Sequence, residues 1–119
     1  MKHLTSSIAL ALLLVSGVAS AKGDAEAGKT KSAPCAACHG PDGNAGIDPQ
    51  YPRLAGQYRD YLVQALHEYK KGDRKNPIMG GFAATLSDQD ILDLAEYFST
   101  LPDGKLTDLH GHIEGESTK

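Results

Sequence analysis

The chain's two cysteines stand beside a histidine in one pentapeptide, Cys35-Ala-Ala-Cys38-His39. This placement constrains the fold more than any other feature. Two thiols three positions apart cannot staple distant segments, so the chain has no disulfide framework. A chain of 119 residues makes one small domain, with little buried volume for its surface. Something besides side chains is therefore expected to complete the core. The formal net charge of −3 argues against nucleic acid as a partner, since a phosphate-binding domain usually carries a basic excess.

C-x-x-C-H is the attachment sequence for c-type haem. Two thiols at this spacing can reach the two vinyl groups on one porphyrin edge, forming thioethers, and the next residue then brings an imidazole under the iron. Other uses of these residues have to be weighed. A thioredoxin-like dithiol uses C-x-x-C beside a βαβ pattern, and no such pattern is visible. A zinc site needs four ligands. His110 and His112 are the other plausible pair, and their H-x-H spacing is not that of a finger. A plain disulfide would leave His39 without a role. The expectation is one covalent haem c, with Cys35 and Cys38 as its thioethers and His39 as an axial ligand.

The second axial position needs another donor. Apart from Met1, the one methionine is Met79, in Asn76-Pro-Ile-Met-Gly-Gly81. This segment reads as a loop between the two strongest helices, from which a thioether could approach the iron on the face opposite His39. Methionine–histidine ligation raises the potential. The alternative is that Met79 fills a gap in the core. His67 is the main rival ligand, but it falls on the polar side of its helix. His110 and His112 lie in a polar tail and are expected to be solvated.

Residues 1–21 have the layout of a secretory signal peptide: Lys2, an apolar run from Ile8 to Val15, and Ala19-Ser20-Ala21 as a small-residue cleavage site. The apolar run is short of the roughly 20 residues that span a bilayer. The product is expected in the periplasm, without a membrane span after cleavage. Residues 22–102 then form the domain and 103–119 a polar C-terminal tail.

Asp24 to Ser32 reads as a short helix capped by Asp24. Pro34 to Pro52 reads as loop, given its glycines and prolines. Tyr58 to Lys71 is the clearest helix, with Tyr58, Tyr61, Leu62, Ala65, Leu66 and Tyr69 on one stripe and Gly72 to end it. Asp73 to Leu86 reads as a second loop. Ser87-Asp-Gln-Asp90 resembles a capping box and opens a helix with Ile91, Leu94, Ala95, Phe98 and Leu101 as its buried stripe. No segment alternates with period two, so no sheet is expected.

With these residues in place, the chain resembles the class I c-type cytochromes. It is most similar to the small soluble bacterial monohaem kind, which also forms each half of certain dihaem cytochromes. The likeness covers nearly all of Ala25 to Leu101. It rests on Cys35-Ala-Ala-Cys-His-Gly40, Pro52-Arg-Leu-Ala-Gly-Gln57, Asn76-Pro-Ile-Met79 and Leu94-Ala-Glu-Tyr-Phe98. The resemblance implies an all-α fold, a small bundle of short helices wrapped around one covalently attached haem. It implies that the first and last helices cross at a small residue, Gly28 against Leu94 and Tyr97. It also implies that the Pro52 carbonyl accepts a hydrogen bond from the second nitrogen of His39, which would orient the ring and strengthen it as a ligand. With one attachment motif, this is not a complete dihaem protein.

The function implied is that of a soluble one-electron carrier rather than an enzyme, and a monomer is expected. Its partners would be redox donors and acceptors such as membrane cytochrome complexes or terminal oxidases and reductases. The alternative is a haem-based gas sensor or small haem enzyme with a labile sixth ligand. Tyr51, Arg53, Gln57 and Tyr58 are candidates by position for holding the haem carboxylates. Lys70, Lys71, Arg74 and Lys75 form a basic cluster that either steers an acidic partner or merely solvates a helix end.

Overall fold

The computed structural model describes residues 21–44, 48–102 and 104. The leader falls outside them except for Ala21, and the tail except for Gly104. Five helices occur among the described residues: α1 (Ala25–Lys31), α2 (Ala33–His39), α3 (Arg59–Lys71), α4 (Pro77–Ala84) and α5 (Asp88–Thr100). No strand occurs among them.

The caps explain most of the boundaries. The Asp24 carboxylate accepts from the Ala27 N–H at 3.0 Å and starts α1. Ser87 and Asp90 form the reciprocal capping box that starts α5. Gly72, with φ of 82°, ends α3 in the left-handed conformation. Tyr58, expected on the buried stripe of α3, instead precedes the helix and is 81% exposed.

Two segments expected to be loops are helical. The first is α2, which carries the pentapeptide. Pro34 stands in its first turn, where a missing N–H costs nothing, and Ala36 and Ala37 are strong helix formers. Only from Gly40 onward does the chain turn irregular. The second is α4, where Asn76 is the N-cap and Pro77 the first helical residue. Pro77, Gly80 and Gly81 suggest a loop there, but an Asn cap followed by Pro is also a helix start.

The first and last helices cross at Gly28, the one buried residue of α1. A Cβ at that position would lie 2.6 Å from the Asp93 carbonyl carbon and 2.7 Å from the Tyr97 Cβ. The atoms nearest this point are those of Tyr97, as the resemblance implies, and of the Asp93 backbone. An ionic clasp closes it. Lys31 Nζ lies 2.7 Å from Asp90 and also pairs with Asp93, whose carboxylate further accepts from the Asp24 N–H at 2.8 Å and from Gln89 at 2.8 Å. The Asp93 side chain is only 4% exposed, so these partners satisfy a buried charge.

Helix α3 packs on both α4 and α5. The apolar centre gathers Leu62, Leu94, Ala95 and Phe98, with Cys35, Leu54 and Leu66 against them. Among the described residues, Ile91 is the largest fully buried side chain. A core so poor in large residues leaves its middle to something else.

Candidate functional site

That middle is a cavity of about 510 Å³, walled by α2, α3, α4, α5 and the segment from residue 50 to 57. Its size falls within the ordinary range of roughly 300–1,000 Å³ for small-molecule and cofactor sites. Ala65, Ala83 and Ala95 face it with nothing larger than a methyl group, while Leu62, Leu66 and Phe98 make it apolar.

Cys35, Cys38, His39, Pro52 and Met79 all line this one cavity. Helix α2 supplies the first three. Both cysteines are half-buried and neither is in a disulfide. Burial pushes the Cys35 thiol up, against a smaller lowering by its own backbone and with a further rise from Cys38. That is the reverse of the lowered thiol on which a dithiol oxidoreductase depends.

His39 is 5% exposed. Its Nδ1 lies 2.7 Å from the Pro52 carbonyl oxygen. A carbonyl only accepts, so Nδ1 carries the hydrogen and Nε2 of the neutral ring keeps its lone pair. The loop after α2 sets up this contact. The Gly43 carbonyl accepts from Leu54 N at 2.7 Å and Ala55 N at 3.1 Å, which folds the segment bearing Pro52 back over His39. Gly43 has φ of 69°, and a Cβ there would lie 3.2 Å from both Ala55 N and the Phe98 ring, so glycine suits this bend. Gly56 N donates to Phe98 O at 2.9 Å and ties the loop to α5.

Met79 is in the first turn of α4, not on a loop. The Asn76 side chain accepts from Ile78 N at 3.0 Å and from Met79 N at 3.1 Å, so the cap itself holds the Met79 backbone. Helices α2 and α4 both line the cavity without packing on each other. His67 does not line it; its Nδ1 is 4.0 Å from Asp88 instead. His110 and His112 lie outside the described residues. Among the described residues, no group of three or more His, Cys, Asp or Glu could hold a metal ion.

Of the residues considered for the haem carboxylates, Tyr51, Arg53 and Gln57 line the cavity and Tyr58 does not. The basic cluster before Met79 also divides. Lys70 pairs with Asp88 at 3.2 Å, whereas Arg74 lines the cavity beside Tyr61 and Tyr69. The sequence reading missed Arg74, Tyr61 and Tyr69 as site residues. The tyrosines were visible as part of the α3 stripe, but a stripe says which face is covered, not by what.

The donor set fits a haem c: two unpaired thiols and an oriented imidazole on one short helix, a thioether from a second helix, and an apolar chamber between them. An all-helical bundle arranged around a C-x-x-C-H cavity defines a c-type cytochrome. The model of the family described as Cytochrome c matches residues 25–102, and the chain belongs to that family, with one covalent haem c as its cofactor. It is 47% identical over 100 residues to a cytochrome c4 of Pseudomonas aeruginosa, covering 84% of this chain and 49% of that one. It is 46% identical over 81 residues to cytochrome c-554(548) of Halomonas halodenitrificans, covering 66% of this chain and 96% of the relative. Among solved structures, reduced recombinant cytochrome c4 from Pseudomonas stutzeri superposes with a TM-score of 0.62 at 46% identity, covering 66% of this chain and 46% of that one. The chain spans about half the length of the cytochrome c4 sequences it matches.

Proposed function

We propose that this protein is a periplasmic one-electron carrier in a respiratory or related chain and does not turn over a substrate. The observation that carries this reading is that His39 and Met79 reach one cavity from separate helices, each with its own anchor. If His39 and Met79 both hold the iron, they would leave no coordination place for a substrate. Bound haem supplies a one-electron couple whose potential depends on its axial ligands and surroundings.

The chain's own residues do the rest. Cys35 and Cys38 hold the group covalently, so it cannot be lost after export. The Pro52 carbonyl fixes the His39 ring and makes Nε2 a stronger donor. Asn76 holds the start of α4, and so Met79, in place. Leu62, Leu66 and Phe98 line the cavity and would shield the bound group from water. A scaffold that holds both ligands the same way in each oxidation state keeps reorganisation small. Redox proteins such as membrane cytochrome complexes or terminal oxidases and reductases are the partners this reading implies. Among the described residues, no helix is long and apolar enough to cross a membrane.

The test is the reduced absorption spectrum of periplasmically matured protein under carbon monoxide. Sharp α and β bands unchanged by the gas are expected for the wild type, and a carbon monoxide shift for Met79→Ala. A shift in the wild type would instead establish an open or labile sixth site, and with it the gas-sensor or enzyme reading.

A further inference from the structure

We propose that Arg74 receives a carboxylate of the porphyrin, with Tyr61 and Tyr69 as the clamp that positions it. This rests on haem occupying the cavity as proposed above. Lys31, Arg53 and Arg74 line that cavity, and no Asp or Glu among the described residues does. A haem carries two carboxylates, so an acid-free chamber with cations in its wall is complementary to it.

The three cations are not equivalent. Lys31 is spent on Asp90 and Asp93 in the clasp between α1 and α5. Arg53 Nε donates to the Asn44 carbonyl at 2.8 Å and so serves the loop. Arg74 makes no ion pair with any described carboxylate; Glu68 acts on it only as a more distant charge.

Yet Arg74 is held. Its guanidinium carbon lies 5.0 Å from the centre of the Tyr69 ring and 6.0 Å from that of Tyr61. Its Nη1 donates to the Tyr61 hydroxyl at 3.2 Å, and its backbone N–H donates to Glu68 O at 3.2 Å. The planar fork is thus oriented by α3 while other donors remain for an anion, the geometry in which arginine binds carboxylates with two parallel hydrogen bonds. Arg74 is exposed as well as cavity-lining, which puts it at the mouth, where a carboxylate can stay partly hydrated. Neutralising that carboxylate favours the ferrous protein, because the reduced centre carries one positive charge fewer.

The experiment compares matured wild-type protein with Arg74→Gln, Arg74→Lys and Lys71→Gln. The readouts are the ferrous-to-ferric ratio at a fixed applied potential and the porphyrin carboxylate bending mode by resonance Raman. Arg74→Gln is expected to move the ratio roughly two- to fivefold toward ferric and to displace the mode. Arg74→Lys is expected to restore most of the ratio but not the mode, since lysine keeps the charge and loses the fork. Lys71→Gln is expected to change neither. An unmoved ratio and mode in Arg74→Gln overturns the assignment, as does an equal response in Lys71→Gln. If Arg74→Gln fails to mature, the mode in Arg74→Lys decides alone, and an unmoved mode overturns the assignment. A colourless wild-type product overturns the haem reading itself; coloured variants with unchanged readouts overturn only the role of Arg74.

Discussion

Replacing Gly28 by alanine sets two opposing effects against each other at one atom. Alanine is the better helix former by about 1 kcal/mol in a helix interior. On an exposed helix that gain would appear as added stability. At Gly28, the new methyl carbon would stand 2.6 Å from the Asp93 carbonyl carbon and 2.7 Å from the Tyr97 Cβ, and closer still to the Asp93 carbonyl oxygen. Ordinary carbon contacts need roughly 3.5–4.0 Å. Helix α1 must therefore move away from α5 by about 1 Å, and the neighbour is backbone, which cannot swing aside. Overpacking of this kind costs about 1–3 kcal/mol, and more where the obstacle is rigid. The same displacement strains the Lys31 contacts to Asp90 and Asp93 and the Asp24 N–H bond to Asp93, because all span the two helices.

The clash and the loosened clasp outweigh the propensity gain, for an expected net loss of about 2 kcal/mol. At roughly 4–8 °C per kcal/mol for a domain of 60–100 residues, this is a fall in Tm of about 10 °C. The assay is thermal unfolding of the matured haem protein by far-ultraviolet circular dichroism. Gly81→Ala in α4 is the control, since a Cβ there meets nothing within 4 Å, and it should raise Tm. If Gly28→Ala raises Tm as the control does, the close crossing is not what requires glycine and the reasoning fails.

Two further outcomes follow from the caps and the clasp. Lys31 holds the Asp93 carboxyl below its ordinary value of 3.8, aided by the Asp24 N–H and Gln89, and Lys31 with Ser87 does the same to Asp90. Lowered carboxyls contribute stability above their ordinary range and lose it as pH falls through the folded values. The unfolding midpoint should drop between about pH 5 and pH 2, and Asp93→Asn should lower it at neutral pH while flattening that acid limb; equal slopes in both proteins would refute the clasp. Asn76→Ala should cost about 1 kcal/mol, the usual worth of an N-cap, and do so locally. Since its side chain accepts from Met79 N, and Met79 is the proposed second iron ligand, the weak absorption band expected of a methionine-to-iron bond should fade and carbon monoxide should gain access, and an unchanged band would show that α4 does not need its cap.

The pentapeptide was legible because its chemistry is dense. Two thiols and an imidazole at fixed spacing leave few uses, and a short helix then turns all three to one cavity. The α5 cap was legible because Ser87 and Asp90 satisfy each other across a single turn. Helices α2 and α4 were not, because each has a proline in its first turn, and proline near a glycine reads equally as a turn or as the start of a helix. What decides between them is the wall each contributes to, and that is a property of the assembled chamber.

The same reason explains why Arg74 looked like surface. In sequence it sits among lysines after a helix end, where charge is normally solvated. In the fold, Tyr61 and Tyr69, two turns apart on α3, present their rings to it. The stripe that places those rings at the cavity also contains Leu62, Ala65 and Leu66, and it is wider than the contact with α4 and α5 requires. A helix face that is apolar beyond its protein neighbours, around a core whose largest fully buried side chain is Ile91, is the imprint of a partner that the side chains do not supply. Three alanines in the wall make the same point, since larger residues would have closed the chamber and strengthened the bare polypeptide. The bundle has given up packing with itself to fit a flat apolar group, and among the described residues the charged side chains that line the chamber are all basic, as a porphyrin's carboxylates require.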